Sequence, residues 1–212
     1  MMRQHLFLAL TDPTSGREAD FNTWYDQHHI QDVVDFCPGF VRGRRYWRVS
    51  TTSEREGQSW QSIALYDLEA DDVAALHANV FANVSRFTPG NGVYAPDHAA
   101  WVYTPVHGGP IPAFEQGCDD SRIVIFAFFD SDPSTYIEGG SSDAIILERS
   151  PDQREGQFPT WRYLVARDVP ADQAEQEARR IGSAEAPAAL WIYSSRGELH
   201  VSNADASRAI VD

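Results

Sequence analysis

The chain is short of the residues that usually announce a chemistry. Two cysteines, Cys37 and Cys118, in 212 residues allow at most one bridge, so no disulfide framework is built and both read as reduced structural thiols. Neither Cys-x-x-Cys nor His-x-x-x-His occurs, and the adjacent His28 and His29 would point about 100° apart on a helix. A metal site therefore lacks a ligand set, and none is expected. Gly-x-x-x-x-Gly-Lys-Ser/Thr and Gly-x-Gly-x-x-Gly are missing, which leaves no nucleotide cradle. Gly-x-Ser-x-Gly is missing as well, so no serine elbow is offered. No apolar run nears the roughly 20 residues that span a bilayer. The run Leu6–Leu10 meets Asp12-Pro13 rather than a cleavage site, so a cytoplasmic location is expected. Positive charge is scarce too: 17 basic against 31 acidic residues give a net charge of -14. Nucleic acid and anionic membrane, which need a cationic face, are excluded as partners. A small-molecule ligand is the expected partner, and a homodimer stays open.

What is present is an internal pattern. Arg55-Glu56-Gly57-Gln58 recurs as Arg154-Glu155-Gly156-Gln157, and Trp60, Asp67, Ala70 and Asp71 recur as Trp161, Asp168, Ala171 and Asp172. Trp101-Val102-Tyr103 matches Trp191-Ile192-Tyr193, and Asp12-Pro13 matches Asp132-Pro133. Self-similarity at this spacing indicates duplicated supersecondary units. Residues 1–104 read as β-α-β-β-α-β, residues 105–120, rich in Pro and Gly, as a linker, and residues 121–212 as a degenerate β-β-β-α-β copy. The segment from Arg17 through Phe36 has no counterpart in the second copy. It is a helix with Phe21, Trp24, Tyr25 and His28 on one stripe, ending or kinking near His29, because Ile30 falls opposite that stripe on a straight helix. The second helix carries Val73, Leu76, Val80, Val84 and Phe87 behind an Asp71 or Asp72 cap.

The β-α-β-β-α-β order is that of a ferredoxin-like α+β unit, with helices on one face of an antiparallel sheet. The uncovered faces of two such units need an apolar layer, and packing them face to face within the chain into a pseudo-symmetric barrel supplies it. Aromatic residues on the strands, including Tyr46, Trp60, Tyr66, Trp101, Tyr103, Trp161 and Trp191, would fill the space between. The run Phe21 to Val33, with Trp24-Tyr25 and His29, followed by Pro38-Gly39-Phe40 and Arg44-Arg45-Tyr46, resembles the signature of the dimeric α+β barrel superfamily, closest to its EthD-like branch. Gln31 stands where that branch has proline. The resemblance implies a pocket between sheet and helices with the helix histidine near it, in the first copy only. Its members include cofactor-free monooxygenases, isomerases, cyclases, dehydratases and haem enzymes, so reaction must be argued from the site.

His29 is the candidate general acid/base, since an imidazole reaches either protonation state near neutrality. Tyr25 and Asp32, four residues before and three after it, are placed to assist. Arg45 or Tyr46 on the second strand would polarise a substrate oxygen. Trp24, His28, Tyr46, Trp60 and Tyr66 are candidate substrate-binding residues, offering flat apolar walls with polar handles. The expected function is a cofactor-independent enzyme, an isomerase, lyase or cyclase, moving protons on a small aromatic or polyketide-like carbonyl compound. The alternatives are a cofactor-free monooxygenase and a non-catalytic ligand-binding or oligomerisation module. No cofactor is expected; haem bound through a pocket histidine is the reading a Soret band would favour.

Overall fold

Alternation along β1 (Arg3–Thr11) puts Leu6, Leu8 and Leu10 on one face and Phe7, Ala9 and Thr11 on the other, and these two faces enter different layers of the protein. The computed structural model describes residues 3–53, 60–107, 122–134, 144–152, 161–184 and 187–202. The remaining strands are β2 (Phe40–Ser53), β3 (Ser62–Ala70), β4 (Ala99–His107), β5 (Arg122–Phe129), β6 (Ile145–Arg149), β7 (Tyr163–Pro170) and β8 (Ala189–Val201). All neighbours are antiparallel, and the order β1-β3-β2-β8-β5-β7-β6-β4 closes on itself.

This single closed barrel of eight antiparallel strands overturns the expectation of two ferredoxin-like α+β units paired into a dimeric-α+β-barrel-like arrangement, the second lacking its first helix. The reason lies in the length of two strands. β2 has 14 residues and β8 has 13, and they pair with each other from Arg42↔Val201 to Ser53↔Leu190. At the other seam β4 pairs with β6 from Tyr103↔Arg149 to His107↔Ile146. Hydrogen bonding across both seams leaves no open edge, which removes the need to stack one sheet on another. Pro105 and His107 lie in β4, so the linker read from residue 105 begins later; residues 108–120, with Cys118, lie outside the described residues. So do both Arg-Glu-Gly-Gln copies and positions 135–143, where a counterpart to the first helix would fall.

The interior is solid. Leu6, Leu8, Leu10, Ile63, Leu65, Phe126 and Leu147 share it with four tryptophans. Trp60–Trp101, Trp101–Trp161 and Trp161–Trp191 centroids are each 5.6 Å apart and Trp60–Trp191 is 6.0 Å, all edge-to-face. This is the geometry that ring quadrupoles favour. Tyr103 Oη donates to the Trp161 carbonyl at 2.9 Å and Tyr193 Oη to the Trp60 carbonyl at 3.0 Å, so both phenols find buried acceptors. Exchanging β1–β4 for β5–β8 leaves the circular strand order unchanged, and the same exchange carries Trp60 to Trp161 and Trp101 to Trp191.

Short helices cover the outside. α1 (Glu18–Trp24), a π-turn at Tyr25–His29, α2 (Ile30–Phe36) and α3 (Val73–Asn83) pack on the first four strands. α4 (Ala174–Ala184) packs on β5, β7 and β8. Asp72 caps α3, accepting from the Ala75 amide at 3.0 Å. No helix among the described residues is long and apolar enough to cross a membrane. Trp101→Ala is expected to cost about 3–5 kcal/mol, the usual range for emptying an aromatic core site. Val106→Ala, at a residue 42% exposed on the same strand, should stay within about 0.5 kcal/mol. Urea denaturation monitored by circular dichroism measures both.

Candidate functional site

Of the two outcomes that its periodicity allows near His29, an end or an irregularity, the first helix takes the second. It absorbs one residue in a π-turn over Tyr25–His29, where the Ile30 amide donates to the Tyr25 carbonyl, and continues to Phe36. On an α-helix, residues five apart lie about 140° apart around the axis; the wider π-turn returns residue i+5 over residue i. Trp24 and His29 consequently stack, with ring centroids at 4.3 Å and planes at 21°. The same shift of phase buries Ile30, Val33 and Val34, which accounts for Ile30 falling opposite the stripe of a straight helix. It also leaves His28 exposed.

A cavity of about 490 Å³ lies between this helix pair, the outer face of the barrel, and α3 with the turn after it. The sheet contributes Phe7, Ala9, Thr11, Phe40 and Tyr66; the helix pair contributes Trp24, Tyr25, His29 and Val33. Val80, Phe81, Val84 and the stretch Phe87–Gly90 close the far side, with Tyr94 and His98 at the rim. The size falls within the roughly 300–1,000 Å³ of small-molecule sites, and the lining is mostly apolar. Two tight approaches shape it. A β-carbon on Gly43 would sit 2.6 Å from the Tyr66 ring, so that ring can lie where it does only over glycine, while one on Gly90 would sit 3.1 Å from both Trp24 and Tyr94 and would press these rings back by a few tenths of an ångström.

Trp24 is fixed on three sides. Its Nε1 donates to the Thr88 carbonyl at 2.8 Å, and Tyr94, at 5.5 Å, stacks on it as His29 does. Asp32 Oδ2 accepts from the Thr88 amide at 2.7 Å. Helix and loop are thus clamped at one residue through both its backbone groups. His29 meets the edges of Tyr25 at 5.0 Å and Phe87 at 5.8 Å, and its Nδ1 is buried with no hydrogen-bond partner. The residue as a whole keeps some exposure, but the ring is enclosed by aromatic faces, and the ring's surroundings decide its charge. Burial lowers its pKa to about 4, while the Asp32 carboxylate pulls the other way. At neutral pH the imidazole is uncharged.

Of the other sequence candidates, Tyr25 and Tyr66 line the cavity, and Asp32 stands behind it as the clamp on Thr88. Arg45 is fully buried yet does not line it. Its guanidinium lies 5.0 Å from the Tyr25 ring centroid and 5.2 Å from that of Phe21, donates to Asn22 Oδ1 at 2.7 Å, and pairs with Asp26 at 3.3 Å. Burial works against its charge and Asp26 supports it. Tyr46 and Trp60 face the barrel interior, and His28 faces solvent. Thr11, Phe7, Tyr94 and His98 were not among the sequence candidates. The alternation of β1 places Phe7, Ala9 and Thr11 on one face, which is the signal that could have found the first two; Tyr94 and His98 sit in a turn that carries none.

The molecule is thus an eight-stranded antiparallel barrel with an apolar, histidine-bearing cavity on its outer wall. No protein-family model and no curated protein sequence matches the chain. Solved structures match it in fold. An anthrone oxidase-like protein superposes with a TM-score of 0.58 at 11% identity, over 94% of this chain and 93% of that one. Two proteins provisionally named monooxygenases follow: one from Fusobacterium nucleatum subsp. nucleatum with a TM-score of 0.48 at 9% identity, covering 94% of each chain, and one from Lactobacillus acidophilus with 0.44 at 6%, covering 92% of this chain and 98% of that one. At 11% identity the first likeness is one of fold.

The His29 shift has a measurable consequence for stability. Its folded pKa, about 4, lies below the ordinary imidazole value of 6.5, so the contribution is complete above pH ~6.5 and is lost as pH falls toward ~4. Native protein is expected to lose about 2–3 kcal/mol more than His29→Gln over that interval. Paired urea titrations at pH 7 and pH 4.5 measure the difference.

Proposed function

We propose that the chain is an oxygenase that works without a bound cofactor, oxidising a flat polycyclic ketone of the anthrone class at its acidic C–H with molecular oxygen. The observation that carries this reading is His29: an uncharged imidazole with a buried, unpartnered nitrogen, in the wall of an apolar cavity and stacked on Trp24. A neutral imidazole accepts a proton, and a cavity lined by Phe7, Trp24, Tyr25, Tyr66 and Phe87 suits a planar polycycle. The fold shared with an anthrone oxidase-like protein supports the same substrate class. The readings as isomerase, lyase or cyclase use the same first step, proton abstraction next to a carbonyl; the fold likeness favours oxygen as the second reactant.

The chemistry balances without further reagents. His29 takes a proton from the ring CH2, and the resulting enolate passes an electron to O2. The radical pair joins through a new C–O bond to a peroxide, which takes a proton. Loss of the second C–H proton then breaks the O–O bond, leaving a ketone and water. The carbon is oxidised by four electrons and O2 is reduced by four. The strand order that maps onto itself supports a tandem duplication of the two halves.

Purified protein supplied with anthrone in air is expected to consume one O2 per quinone formed, followed by an oxygen electrode and quinone absorbance. His29→Ala should lower turnover at least ~100-fold, the lower end for a general base. Near-native turnover in that variant, or no oxygen uptake by the native chain, would sink the proposal. A Soret or flavin band in the purified protein would end its cofactor-free part.

A further inference from the structure

We infer that the hydroxyls of Thr11, Tyr25 and Tyr66 form an oxyanion-holding pole on the sheet side of the cavity, binding the enolate or phenolate oxygen of the ligand, with the buried Arg45 guanidinium supplying charge behind them. The inference rests on the reading of this cavity as the ligand site. All three residues line it, although the rest of the wall is mostly apolar, and they are 9%, 1% and 1% exposed. They arrive from three elements, β1, the π-turn and β3, so their meeting is a product of the fold. The Tyr25 hydroxyl lies beside those of Thr11 and Tyr66, yet Thr11 Oγ1 and Tyr66 Oη remain buried without a partner at hydrogen-bonding geometry.

Proton counting shows why this cluster is incomplete by itself. A chain of three hydroxyls uses at most two of its protons internally and leaves the third to an outside acceptor. Burial raises the pKa of both phenols, so they stay protonated and donate. Arg45 lies against the Tyr25 ring, and Asp26, its carboxylate, is shared with Arg196 at 3.8 Å. Two guanidinium groups per carboxylate leave the local field positive, which favours an anion on the other side of Tyr25. An uncharged base such as His29 can remove a proton only where the anion left behind is stabilised, and preorganised donors in an enclosed site do this without rearrangement. Arg45 touches no ligand here and is a positioning residue.

The test uses 2-hydroxyanthraquinone, whose visible absorbance separates phenol from phenolate, and unsubstituted anthraquinone as its neutral control. Titrated while bound, the hydroxyquinone should show a phenolate-to-phenol ratio at fixed pH that falls ~10-fold or more from native chain to Thr11→Val/Tyr66→Phe, the lower end for hydrogen bonds to a charged group. Anthraquinone affinity should change less than ~3-fold, because the wall keeps its shape apart from one hydroxyl and a neutral carbonyl gains much less from these donors than an anion does. Arg45→Gln should lower the ratio and Arg45→Lys should restore most of it. An unmoved ratio, or equal loss of both ligands, overturns the inference and leaves the oxygenase reading to its own test. Failure of either quinone to bind the native chain overturns both.

Discussion

Closure of the sheet is the constraint from which the rest of the molecule follows. Once β2 pairs with β8 and β4 with β6, every strand has two neighbours and the inner faces meet in a space that side chains must fill. Four tryptophans and the phenols of Tyr103 and Tyr193 fill it, the phenols satisfied by the carbonyls of Trp161 and Trp60. A barrel packed this way is a core. The cavity therefore lies on the outer surface, where the helices that cover β1 to β4 stand off the sheet far enough to leave a gap. The outward residues of β1 and β3, Phe7, Thr11 and Tyr66, become its floor for the same reason that Leu6, Leu8 and Leu65 become core.

Much of this was legible in the sequence, and the misses have physical causes. Strand positions, the Asp72 cap and the aromatic helix face at Phe21, Trp24 and Tyr25 follow from periodicity and turn chemistry, which are local. Barrel closure is not local. The residues of β2 that pair with β8 are some 150 positions away, and their alternation is the same whether the partner strand lies beside or opposite them. The exchange of His28 for His29 on the buried stripe has a different origin: a π-turn adds one residue to a helical turn without any residue type that demands it. Ile30 was the only trace, an apolar side chain out of phase with the stripe. Tyr46 and Trp60 entered the candidate set because aromatic residues suit both a core and an aromatic site, and composition does not separate the two.

Burial sets the charge state on both sides of the cavity, in the same direction. Desolvation lowers the basicity of His29 and the acidity of Tyr25 and Tyr66, so the cavity wall carries an uncharged ring and uncharged hydroxyls. Its fixed charges, Arg45 and Asp26 behind Tyr25 and Asp32 behind His29, stand one layer back. A ligand that ionises inside would place an anion near Arg45 and a proton on His29 near Asp32, so each new charge forms beside its opposite. Separation of charge in an enclosed cavity is costly unless both ends are met in this way. A ligand that cannot ionise gains from neither end, and the cavity offers it only aromatic contact. Selection at this site would thus turn on the acidity of the ligand as much as on its shape.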